Sequence, residues 1–117
     1  MSHRILVSLG SNVRQSAYMT WAKECLAVSF DRVTFSRRIW TADHSGSGKM
    51  YLNQLATAET QKSAEEVVKL LKDMEAKTGR TKERVTIDLD LMSYDDRKFH
   101  LYDWTRDYIR RLTNDLA

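Results

Sequence analysis

No proline occurs in the 117 residues, and the chain has only four glycines and a single cysteine. Without proline no loop is stiffened by a fixed φ and no X-Pro bond offers a cis isomer, so turns must be shaped by Gly, Ser, Asn and Asp. The polar stretch 42–50 is therefore expected to be mobile when nothing is bound. Cys25 has no partner for an internal disulfide, and it stands among Trp21, Ala22 and Leu26 in a helix-like segment, where packing is its expected role. His3, His44 and His100 lack the mutual spacing of a zinc site, and no Ser-His or Cys-His arrangement suggests nucleophilic catalysis. Long apolar runs are missing too. None approaches the roughly 20 residues of a membrane-spanning helix, and Met1-Ser2-His3-Arg4 leads into a strand-like segment without the apolar stretch of a secretory leader. A cytoplasmic protein with no membrane partner is the expectation.

What the chain does have is enough apolar content, 42%, for one core, and its length suits a single domain over 1–117. The net charge of +3 is a mild excess that suits small polyanions such as nucleotides without calling for nucleic acid.

Residues 4–9 read as a buried strand ending at Gly10-Ser11-Asn12. From about Arg14 to Val28, Tyr18, Trp21, Ala22, Cys25 and Leu26 recur at helical spacing. Arg32 to Trp40 alternates as a second strand, the loop Asp43-His44-Ser45-Gly46-Ser47-Gly48-Lys49 follows, and Tyr51 to Thr60 is a third strand able to pair with the second. Ser63 and Glu66 form a capping-box pattern that opens a helix with Ala64, Val67, Val68, Leu71 and Met74 as its buried face, ending at Thr78-Gly79. Val85 to Leu91 is the fourth strand. A short Lys98-Phe99-His100 segment precedes Asp103 to Leu112, where Trp104, Tyr108, Ile109 and Leu112 suit a terminal helix or turn. The order predicts an α+β, ferredoxin-like βαββαβ fold, with two helices on one face of an antiparallel sheet and a short C-terminal helix. The other sheet face is expected to be left for function or a partner.

The most informative segment is Thr86-Ile87-Asp88-Leu89-Asp90-Leu91. In a strand, the period of two sends Ile87, Leu89 and Leu91 to the core and Asp88 with Asp90 to the opposite face, about 7 Å apart at roughly 3.3 Å per residue. Such a pair suits a hard divalent cation that also takes phosphate oxygens, or is simply a solvated strand face.

Four segments, Val7-Ser8-Leu9-Gly10-Ser11-Asn12, Tyr51-Leu52-Asn53, Glu75 with Gly79-Arg80, and Thr86-Ile87-Asp88-Leu89-Asp90, carry a further signal. In this order they resemble the signature motifs of the 6-hydroxymethyl-7,8-dihydropterin pyrophosphokinases of folate biosynthesis. The resemblance covers most of the chain. It implies ATP and a hydroxymethyl pterin as substrates, and two Mg²⁺ ions held with ATP by Asp88 and Asp90. It also implies Asn53 as the reader of the pterin amide edge, Tyr51 and Tyr108 as the rings that sandwich it, and Thr41 beside them. Glu75, His100 and Arg106 fall to the nucleotide, and Arg80 and Arg84 to the charge that develops during transfer. The chain departs from the family pattern in three places. The stretch from Arg80 to Asp88 is short and lacks the Arg-Trp-Gly-Pro-Arg run, with Val85 where an arginine is expected. The loop from Thr41 to Lys49 lacks the usual prolines, and no Pro-Leu segment follows Tyr108.

Two other classes of function compete with a diphosphokinase. One is a pterin- or nucleotide-binding paralogue that has lost turnover with the shortened loop. The other is a nucleic-acid binder using an open sheet face, against which two aspartates on that face count.

Overall fold

The computed structural model describes residues 1–43 and 45–117; the reading of His44 lies outside them. The elements run β1 (His3–Ser11), α1 (Gln15–Ser29), β2 (Asp31–Phe35), β3 (Ile39–Ala42), β4 (Met50–Thr60), α2 (Ala64–Ala76), β5 (Asp88–Tyr94), β6 (Arg97–Lys98), a 3₁₀ turn (Asp103–Thr105) and α3 (Asp107–Asp115). The result is an antiparallel sheet with three helices, an α+β architecture, with strands in the order β2-β4-β1-β5-β6 and β3 also on β4. Among the described residues no helix is long and apolar enough to cross a membrane.

Strand periodicity divides the core in two. Ile5, Val7 and Leu9 of β1, Leu52, Ala56 and Ala58 of β4, and Leu89 and Leu91 of β5 pack with Met19, Ala22 and Leu26 of α1 and Val67, Leu71 and Met74 of α2. The residues between them point the other way, where Leu6, Leu55 and Met92 pack under Ile109 and Leu112 of α3. The second sheet face is therefore not left open over its whole length, as the sequence suggested: α3 covers one end and a cleft occupies the other. Within α2 the capping box forms as expected, Ser63 accepting from the Glu66 N–H and Glu66 from that of Ser63. Val68, assigned to the buried face, is 40% exposed, and the buried position further along is taken by Glu75.

Several strand boundaries need correcting: the first strand runs on through Gly10 to Ser11, and the fourth continues past Leu91 to Tyr94. The second strand is broken at 36–38, because Ser36 turns its hydroxyl inward. Its Oγ accepts the Leu55 N–H at 2.9 Å, while Gln54 Nε2 donates to its carbonyl at 2.7 Å. The Ser36 N–H still donates to the Leu55 carbonyl at 2.9 Å, but the reciprocal bond goes to a side chain. The fourth strand starts at Asp88 rather than Val85, since the backbone before it is engaged elsewhere. Val85 exchanges two hydrogen bonds with Asn12, N–H to Oδ1 and carbonyl to N–H, each 2.9 Å, and the Thr86 hydroxyl meets that of Thr78 at 2.6 Å.

Ser36→Ala would leave the buried Leu55 N–H without its acceptor, at a cost of about 1–3 kcal/mol. Denaturant unfolding should show the midpoint falling at unchanged slope; a midpoint equal to the parent's would mean that the hydroxyl does not hold the break.

Candidate active site

The uncovered part of the α3 face is built from a row that crosses four strands. Ile39 is in register with Asn53, Asn53 with Gly10, and Gly10 with Asp88; one step along, Ser8 lies between Leu55 and Asp90. Small residues on the central strand make this floor concave. A Cβ placed on Gly10 would meet Asn53 Oδ1 at 3.6 Å and the Tyr51 ring at 3.8 Å, so the missing side chain opens space between the two. Over the floor lies a cleft of about 450 Å³, with Ser8, Thr41, Asp43, Tyr51, Asn53 and Asp88 along one part of its wall. Asp90, Asp103, Arg106, Asp107, Tyr108 and Ile109 also line it.

Asn53 is 6% exposed and its amide is oriented by the hairpin. Nδ2 donates to Thr41 Oγ1 at 2.8 Å and to the Ile39 carbonyl at 3.2 Å, which leaves Oδ1 over Gly10 as the acceptor facing the cleft. Tyr51 takes a hydrogen bond from Asn12 Nδ2 at 3.4 Å. Burial, then the nearby Asp43 and Asp88, raises the Tyr51 phenol above its ordinary range, and burial does the same for Tyr108, so both rings stay neutral.

Asp88 and Asp90 both face the cleft, with Leu89 and Leu91 in the core beneath. Arg80 donates to Asp88 at 2.9 Å, and Lys72 lies 3.4 Å and His100 3.8 Å from Asp90. Despite these neighbours, burial first and the Asp88 charge second push the Asp90 carboxyl up to about 6. Excess negative charge on hard oxygens is what a divalent cation neutralises. No group of three His, Cys, Asp or Glu suited to a metal occurs among the described residues. Two carboxylates alone fit magnesium held jointly with phosphate and water rather than in a protein cage.

Of the residues singled out in the sequence, Thr41, Tyr51, Asn53, Asp88, Asp90, Arg106 and Tyr108 share the cleft wall. Glu75 does not. It is 7% exposed behind β5, where Oε2 accepts the Leu89 N–H at 2.6 Å and lies 3.0 Å from Arg80. Arg80 and His100 touch the aspartates from outside the wall, and Arg84 lies on the exposed segment that follows Arg80. Sequence reasoning missed Ser8, Gly10, Asp43, Asp103 and Asp107. The first two were within reach, since the alternation that buries Ile5, Val7 and Leu9 puts them on the opposite face.

The raised Asp90 carboxyl sets the sign of a stability effect. Below about pH 4 the group is neutral whether folded or unfolded, and stability is then lost as pH rises toward 6, above which the loss is complete. In chelator-treated buffer Asp90→Asn should lack this slope and exceed the parent at pH 7 by about 1–3 kcal/mol. Melting curves between pH 4 and 8 test it; parallel profiles for the two proteins would remove the electrostatic account of the pair.

No curated protein matches the chain. The family model described as 7,8-dihydro-6-hydroxymethylpterin-pyrophosphokinase (HPPK) matches residues 6–116, and the chain therefore belongs to that family.

Proposed function

We propose that the chain transfers diphosphate from ATP to 6-hydroxymethyl-7,8-dihydropterin and releases AMP. The observation that carries this reading is the row Asn53-Gly10-Asp88. It sets an amide acceptor and an aspartate pair on one floor, with Gly10 clearing the space between. The strand order, with β2 and β3 taken as one broken strand, supports a ferredoxin-like βαββαβ fold.

A flat heterocycle over Gly10 would stack on Tyr51 and Tyr108 and donate an N–H to Asn53 Oδ1, with Thr41 holding that amide in place. The hydroxymethyl oxygen attacks the β-phosphorus and gives its proton to solvent, the bond from that phosphorus to the oxygen bridging the α-phosphorus breaks, and AMP departs. Magnesium ions held by Asp88 and Asp90 together with ATP neutralise phosphate charge when bound. Arg80 brings a guanidinium to the same edge, and Arg84, Arg106 and His100 are further donors to the nucleotide. Glu75 contributes by holding Arg80 and the β5 backbone in register. No side chain needs to act as a nucleophile, so catalysis rests on position and charge.

One observation favours binding without turnover. The segment after Arg80 is pinned, Val85 by Asn12 and the Glu83 carbonyl by Asn12 and Lys49 Nζ, which restrains Arg84. Incubating the purified protein with hydroxymethyldihydropterin and MgATP separates the two: AMP formed in step with pterin consumed supports transfer, whereas pterin binding without AMP supports the binding-only paralogue.

Asn53→Ala should weaken pterin binding by about 1–3 kcal/mol in calorimetry, because a buried ligand donor loses its acceptor. Unchanged affinity would sink the assignment of the reader. Asp88→Asn and Asp90→Asn should each abolish most of the Mg²⁺-dependent part of ATP affinity while the protein stays folded, and nucleotide titrations with and without Mg²⁺ measure it. A solvated strand face would leave both variants binding MgATP like the parent.

A further inference from the structure

Lys72 belongs to α2, on the helix side of the sheet, yet its ammonium reaches the cleft side. Nζ lies 3.2 Å from the Leu89 carbonyl, 3.2 Å from Glu75 Oε2 and 3.4 Å from Asp90 Oδ1. The route is open because β6 pairs only with Ser93 and Tyr94, so among the described residues the edge of β5 away from β1 has no strand partner over Asp88 to Leu91. Arg80 takes the same path one step along, 3.0 Å from Glu75 and 2.9 Å from Asp88. Each aspartate of the pair thus has its own internal cation.

The two cations are held differently. Arg80 is 32% exposed in its side chain, and its guanidinium bonds Asp88 at 2.9 Å; Lys72 is 49% exposed and sits at a longer 3.4 Å from Asp90 on a flexible stem. A half-exposed point charge at that distance is readily exchanged for a stronger cation. Once displaced it remains a tethered ammonium beside whatever anion the incoming cation carries.

We propose that Lys72 is the resident counter-ion of Asp90: a divalent cation binding at the pair displaces it, and it then takes a phosphate oxygen of the nucleotide. This rests on the metal and nucleotide reading above. It gives Lys72 two opposite effects, competitor of the metal and ally of the phosphate. A residue that only caps the strand edge would have neither.

The test uses the full chain with Lys72→Met, which keeps most of the stem, and Lys72→Arg, which keeps the charge; Lys72→Gln replaces the first should it melt low. Free Mn²⁺ is followed by electron paramagnetic resonance without nucleotide, and binding of the α,β-methylene analogue of ATP is measured with Mg²⁺ present. Lys72→Met should bind Mn²⁺ about three- to tenfold more tightly than the parent and the analogue about three- to tenfold more weakly, with Lys72→Arg close to the parent in both. Two affinities that fall together, or that do not move, would overturn the proposal. Asp88→Asn is run alongside. If it weakens Mn²⁺ binding while Lys72→Met changes nothing, this inference alone fails; if it leaves Mn²⁺ binding intact, the metal reading fails and takes this inference with it.

Discussion

A single carboxylate oxygen, Glu75 Oε2, joins the helix layer to the strand that carries the aspartate pair. It accepts the Leu89 N–H at 2.6 Å and lies 3.2 Å from Lys72 and 3.0 Å from Arg80. The need for it comes from topology. Strand β5 has β1 on one side and, over 88–91, no strand on the other, so its outward N–H and carbonyl groups must find partners or remain unpaired. Helix α2 supplies them: Glu75 for the Leu89 N–H and Lys72 for its carbonyl. Burying a carboxylate is costly unless it is hydrogen-bonded and charge-paired, and two cations with one backbone donor meet that condition. Because both cations continue round the edge to Asp88 and Asp90, the carboxylate that fixes α2 against β5 also holds Lys72 and Arg80 beside the cleft.

Features that obey one periodicity were legible in the sequence. A strand cannot bury Leu89 and Leu91 without presenting Asp88 and Asp90 together, and a Ser63-Glu66 pair before an apolar helical face caps that helix for local reasons. Features decided by a distant partner were not legible. Ser36 looks like any polar residue of an alternating strand, and only the buried Leu55 N–H makes it a break. Val85 to Ile87 has strand composition, but Asn12 occupies both backbone groups of Val85. The resemblance assigns Glu75 to the nucleotide, and its hydrogen bond to the Leu89 N–H depends on the open edge of β5, which no local pattern reveals. His100, with φ 53°, and Arg14, with φ 45°, take left-handed backbone that nothing in their side chains requires.

Charge was a poor guide for the same reason. The chain as a whole is at +3, yet five aspartates against one arginine are found among the described residues of the cleft wall. Net charge is a sum over the surface, whereas binding depends on the local field. Here the field is zoned. The floor and the α3 rim are acidic, and Arg80, Lys72 and His100 stand together where the open edge of β5 meets the cleft.

That zoning limits how a polyanion and a neutral heterocycle can share the cleft. A triphosphate placed near β5 meets three nitrogen groups, those of Lys72, Arg80 and His100, beside Asp88 and Asp90. The end of the floor with Asn53, Gly10 and Tyr51 carries hydrogen-bonding and stacking groups and suits an uncharged ring. On the proposed reading the two sites would meet at Asp88, which is in register with Gly10. Most of this division follows from two sequence facts, small residues at Ser8 and Gly10 on the central strand and acids at 88 and 90 on its neighbour. The rest depends on α2 reaching round an edge that only the fold exposes.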